Sequence, residues 1–190
     1  MSCPAIHHRQ RIARFRPWGF TLLEALVVLA VLGVLLSLAV PSLSNLVDKH
    51  RLQAQAEGLL ASLQLARSEA IRRQQPITVC PRADQVCDAN AAWDKGWLVF
   101  ADANHNARYD EGEGLIEAHE PMPAKVLVGV TSTVKGYFSY GPEGRSMSTS
   151  GAFMAGSWRF CQNTSSQGWR VVSNALGKPR LESYTATPCP

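Results

Sequence analysis

Acid is missing from the start of this chain. Positions 1–19 contain Arg9, Arg11, Arg14 and Arg16 and no Asp or Glu. Beyond them 15 basic residues meet 15 acidic ones, so the net charge of +4 belongs to the opening segment. A general electrostatic pull on nucleic acid is thereby excluded, and any anion site has to be local. Charged residues make up only 18% and apolar ones 46%, which excludes an extended disordered chain. Catalytic motifs are absent as well. There is no H-E-x-x-H, no G-x-S-x-G and no phosphate-binding glycine loop, and His50, His105 and His119 are scattered. The expectation is a protein that is no enzyme and holds no cofactor. Cys80, Cys87, Cys161 and Cys189 form no C-x-x-C pair and have no histidine close by, which argues against zinc. At 190 residues the chain has room for one domain and an appended segment.

What is present begins with Phe20–Val40, FTLLEALVVLAVLGVLLSLAV, whose one charge is Glu24. As a helix this run would be roughly 30 Å long, the thickness of a bilayer's hydrocarbon core. Four arginines and no acid precede it, so the positive-inside rule leaves 1–19 cytoplasmic and sends the remainder outward. A secretory signal peptide would show a small-x-small cleavage site, and Val40-Pro41-Ser42 is a poor one. A carboxylate on such a helix is costly, so Glu24 either reaches the headgroups or has a cationic partner.

After Pro41 the apolar spacing continues. Leu43, Leu46, Val47, Ala56, Leu59, Leu60, Leu63, Ala66 and Ala70 recur every three or four positions, which predicts one buried helical stripe ending before Pro76. A helix from Phe20 to about Arg73 would approach about 80 Å at 1.5 Å per residue, more than a small domain buries. Beyond Pro76 short apolar runs alternate with Gly, Pro, Asn and Asp. They predict strands near Ile77–Cys80, Gly96–Ala101, Leu115–His119, Val126–Thr131, Tyr137–Tyr140, Ser157–Cys161, Trp169–Ser173 and Arg180–Tyr184. Gly141–Gly144 reads as a turn, and Trp97, Trp158 and Trp169 as core. The fold class is α+β, a long N-terminal helix packed on antiparallel sheet.

Cys3 falls in the basic opening segment, and the other four cysteines allow three pairings. The short loop favours Cys80–Cys87; Cys161–Cys189 would then tie the tail to a strand. Asp102, Asn104, Asn106, Asp110 and Glu113 stand at the first, third, fifth, ninth and twelfth places of a calcium-type loop. Ala107 replaces the glycine of the sixth place, and strands rather than helices flank the segment. Turn-forming Asn and Asp account for the same composition without a metal.

Gly19-Phe20-Thr21-Leu22-Leu23-Glu24 resembles the cleavage signal of type IV pilins and pseudopilins. The resemblance implies a prepilin peptidase that cuts after Gly19 and methylates Phe20. Glu24 would then neutralise the α-amino group of a neighbouring Phe20, and Gly33 and Pro41 would soften the helix. The parts would be a leader 1–19, a transmembrane assembly helix 20–41, an amphipathic helix 42–75 and a β-rich domain 76–190. The protein would sit in a bacterial inner membrane by one crossing, N-terminus cytoplasmic and domain periplasmic, with other pilins or pseudopilins as partners. Gly96–Asn104, Asp110–Glu113 and Leu115-Ile116 resemble the GspH/FimT family in particular. That implies a minor pilin of the FimT/FimU type, or alternatively the minor pseudopilin of type II secretion. FimT-type proteins carry a G-R-x-R element implicated in DNA uptake; Gly177-Lys178-Pro179-Arg180 stands in its place, with Lys for the first Arg. The resemblance implies contact with double-stranded DNA there, with Arg170 and Arg159 as neighbours. Residues 121–190 carry seven basic and two acidic side chains, whereas 84–120 carry two and nine. Scattered solvated cations are the competing reading.

Overall fold

The computed structural model describes residues 19–162 and 167–185. The chain divides into two compact units, Met1–Asn45 and Leu46–Pro190. Helix α1 (Leu22–Arg73) contributes to both.

In the first unit α1 begins on a cap. The Thr21 hydroxyl accepts the Glu24 backbone N–H at 3.2 Å, and the Thr21 carbonyl accepts that of Ala25 at 3.1 Å. Thr21-x-x-Glu24 is thus a capping-box sequence, and its acid lies in the first turn, where the helix dipole favours negative charge. The large apolar side chains from Phe20 to Leu36 are exposed; Phe20 is 83% and Leu36 52% accessible. Among the described residues no helix is long and apolar enough to cross a membrane.

In the second unit Leu52, Ala56, Leu59, Leu63, Ala66 and Ala70 of α1 are buried at the expected three-and-four spacing. The stripe is shorter than its sequence pattern. Leu43, Leu46 and Val47 were expected on it and are exposed, because periodicity defines a face whereas burial needs something to cover it. The helix stops at Arg73; Gln74 has turned to φ 55°, and Pro76 could not continue the ladder.

Among the described residues nine strands follow: β1 (Ile77–Ala83), β2 (Val86–Cys87), β3 (Trp97–Ala101), β4 (Leu115–His119), β5 (Leu127–Val130), β6 (Phe138–Tyr140), β7 (Gly156–Cys161), β8 (Gln167–Ser173) and β9 (Pro179–Thr185). They form two antiparallel sheets. One runs β2-β1-β3-β4 with β6 also on β1; the other runs β5-β7-β8-β9. Trp158 of β7 meets Trp93 and Phe138 edge-on at 5.5 Å each, so one aromatic cluster joins both sheets. Trp97 and Trp158 are fully buried, and Trp169 is partly buried against the same core. Inside the helix–sheet layer the Trp97 indole N–H donates to Ser62 Oγ at 2.9 Å, and that hydroxyl donates to Glu117 Oε1 at 2.9 Å.

A disulfide joins Cys80 to Cys87 across the β1–β2 hairpin, with Cα atoms 5.6 Å apart. Cys161 is buried on β7 and engaged in a disulfide. Cys189 lies outside the described residues, as do Cys3 and the four N-terminal arginines.

Candidate functional site

The charged surface is built on β7, β8 and β9. Side chains alternate faces along a strand, and directly paired residues share one. Trp158, Val171 and Leu181 stand opposite one another and point into the core. The residues on either side therefore point outward. Arg159 pairs with Arg170, which pairs with Glu182; in the next outward row Ser157 pairs with Val172, which pairs with Arg180. Three guanidinium groups and one carboxylate thus occupy one face.

Glu182 sits between two of them. Arg170 Nη2 donates to Glu182 Oε2 at 2.7 Å, and Arg180 Nε donates to Glu182 Oε1 at 2.6 Å. Hydrogen bonds from Arg170 and then Arg180 hold this carboxyl below the usual carboxylate range. Tyr184, one row further on, packs over Gly168. Partial burial pushes its phenol up, opposed by the charges of Arg159 and Arg170. Arg159 makes no ion pair among the described residues. Beside this face Arg170, Arg180, Thr131, Thr133, Ser157 and Asn174 line a cleft of about 600 Å³.

The four residues expected to form a single anion site are divided by the structure. Arg170 and Arg180 come together through Glu182. Lys178 instead lines a separate cleft with Arg67, Ile71 and Gln64 of α1. Gly177 serves the turn. Its φ is 69°, and a Cβ there would lie 2.7 Å from the Gly144 carbonyl oxygen and 2.8 Å from Tyr140. Asn174 closes the same turn, its side-chain oxygen accepting the N–H groups of Leu176 and Lys178. Glu182 escaped the sequence reading. The available signal was its i+2 spacing from Arg180, which puts both on one face of a strand.

The loop from Asp102 to Glu113 satisfies itself. Asp102 accepts from Thr78 and from the backbone of Asn106 and Ala107. Asp110 Oδ2 accepts from the amides of both Asn104 and Asn106, and Glu113 accepts the backbone N–H groups of Ala103 and Asp110. Among the described residues no group of His, Cys, Asp or Glu is arranged to hold a metal.

A helix leading into a head of two antiparallel sheets defines a type IV pilin-like fold. The family model for type II transport protein GspH matches residues 55–177, and the chain belongs to that GspH/FimT family of pilin-like structural subunits. It is 43% identical over 101 residues to the pilin-like protein PilA1 of Thermus thermophilus; the match takes in 53% of this chain and spans 58% of that relative's length. It is also similar in fold to the type IV minor pilin FimU of Pseudomonas aeruginosa, with a TM-score of 0.51 and 21% identity, over 71% of this chain and 90% of that one. The minor pseudopilin EpsH of Vibrio cholerae aligns over 70% of this chain and 97% of its own at 13% identity and a TM-score of 0.49.

Proposed function

We propose that the chain is a minor type IV pilin-like subunit of the FimT/FimU type, anchored in the inner membrane and built into a pilus with other pilins. One observation carries this reading: Gly19-Phe20-Thr21-Leu22-Leu23-Glu24 runs into the start of α1, and the large apolar side chains from Phe20 to Leu36 are uncovered. Exposed apolar surface on that scale fits lipid before assembly and neighbouring stems after it. Prepilin peptidase would cut between Gly19 and Phe20 and methylate Phe20. Glu24 would meet the new α-amino group of a neighbour, since opposite charges tolerate low dielectric together better than apart. Mass spectrometry of the native protein tests this. An N-methylated Phe20 terminus is expected; a terminus beyond Pro41 would remove the stem and overturn the reading.

The description of the matched family favours one second reading, a minor pseudopilin of type II secretion. Gene deletion separates the two, with loss of pili expected for the first and loss of protein export for the second.

DNA capture is part of the pilus proposal. Its support is the basic face of β7–β9, where Arg170 and Arg180 lie together; Gly177 would shape the turn that presents Lys178 to the same polymer from a neighbouring cleft. Double-stranded DNA held this way would be bound with strong salt dependence and little sequence preference. A gel shift of the full chain in detergent checks the site; Lys178→Ala/Arg180→Ala should abolish the shift, and unchanged binding refutes it.

A further inference from the structure

The outward face of β7–β9 has the composition of a polyanion site, but its centre is already filled by an anion from the same chain. Glu182 takes a hydrogen bond from each of Arg170 and Arg180, at 2.7 and 2.6 Å. Its two oxygens stand where two oxygens of a phosphate group would stand, because guanidinium groups grip carboxylate and phosphate through the same pattern of donors. The arginines are not sequestered. Side chains of Arg170 and Arg180 remain 41% and 56% accessible, and Glu182 is 28% accessible, so a competitor can reach all three from solvent. Arg170 Nε is buried without an acceptor among the described residues, so the exposed part of this guanidinium is its Nη end. Arg159 stands opposite Arg170 with no ion pair among the described residues, and Ser157 and Asn174 add neutral polar side chains along the cleft.

We infer that this face is a phosphate-binding site in which Glu182 acts as a built-in competitor: a polyanion first contacts Arg159, then displaces Glu182 and takes over Arg170 and Arg180. The inference rests on the proposed DNA reading for its natural ligand, but the chemistry is that of any phosphate or sulfate polymer. It also adds Arg159 to the site and gives Glu182 a role opposite in sign to that of its arginine partners. Each further phosphate engaged changes the logarithmic salt slope by about 0.9, which near 0.1 M salt is worth roughly tenfold in affinity. Freeing two guanidinium groups should therefore strengthen binding by at least about tenfold.

The test uses the full-length protein in detergent micelles on two probes, a heparin column and a labelled 30-base-pair duplex. Glu182→Gln should elute from heparin at clearly higher salt than wild type. Glu111→Gln, the same change of charge on an exposed acid outside this face, should move elution little. Arg159→Ala should elute earlier, and Arg170→Ala/Arg180→Ala should cancel the gain of Glu182→Gln. The duplex should bind Glu182→Gln about tenfold more tightly. Later elution from heparin without duplex binding would uphold the site and refute the DNA reading. Unchanged or earlier elution of a folded Glu182→Gln, or an equal shift in Glu111→Gln, would overturn the inference whatever the duplex does.

Discussion

Ser62→Ala should loosen the attachment of α1 to the first sheet by about 2 kcal/mol, and the figure comes from the groups that the hydroxyl serves. Ser62 is fully buried, and its Oγ is the acceptor for the Trp97 indole N–H while donating to Glu117. Removing it leaves the N–H of a fully buried tryptophan with no acceptor, a penalty of about 1–3 kcal/mol. The Glu117 carboxylate loses less, because it is only half-buried and regains water. The volume removed is one oxygen atom, so a cavity adds little. For a chain of this size 2 kcal/mol lowers the melting temperature by about 4–8 °C. Thermal unfolding followed by circular dichroism reads that shift. The mechanism needs a double-mutant cycle: in Trp97→Phe the donor is already gone, so adding Ser62→Ala should cost about 1 kcal/mol less than it does alone. Strict additivity, or a loss under about 0.5 kcal/mol in the single variant, would refute the reasoning.

The Cys80–Cys87 bond closes a short loop, its ends seven positions apart, so Cys80→Ala/Cys87→Ala should cost about 2.5 kcal/mol in denaturant unfolding. Gly177→Ala should destabilise by about 2 kcal/mol or more, from its φ of 69° and the Gly144 oxygen 2.7 Å from the new Cβ, whereas exposed Lys178→Ala should leave the melting temperature unchanged. Hydrogen bonds from Arg72 and then Arg73 lower the Glu69 carboxyl from 4.5 to about 2. A depressed folded-state value stabilises above the unfolded one and is lost as the pH falls through the folded one. Glu69→Gln should therefore flatten the fall in melting temperature between pH 4.5 and 2 and leave its slope near neutrality unchanged.

Much of the fold was legible because the forces that set it are periodic. Leu115–His119 is β4 as the alternation of its residues suggested, and the other expected strands recur with ends moved by one to three residues. The two-residue β2 was not legible, since a hairpin that short has no alternation to detect. Nor was the partition of nine strands between two sheets. It depends on contacts such as Trp158 against Phe138, twenty residues apart, and no local pattern encodes them. The stripe on α1 was legible in phase and misjudged in extent, because Leu43 and Leu46 keep the period where nothing covers them.

Charge counting leaves out what each charge is bonded to. By count the stretch 84–120 is the strongly charged part of the chain, with nine acids against two bases. The structure spends many of those acids internally: Asp102 on Thr78 and the loop backbone, Asp110 on two asparagines, Glu113 on backbone N–H groups, Glu117 on Ser62 and Glu120 on Arg82. An acid that is saturated by fixed donors holds a loop in shape and has little left for a partner. The smaller basic excess of 121–190 is spent differently. Among the described residues Arg145, Arg159 and Lys178 carry no ion pair, and Arg170 and Arg180 share a single carboxylate. What decides whether a surface recognises an anion is the charge left over after internal bonding. By that measure the face of β7–β9 keeps more unspent positive charge than the acidic loops, the same order that the residue counts of the two stretches give.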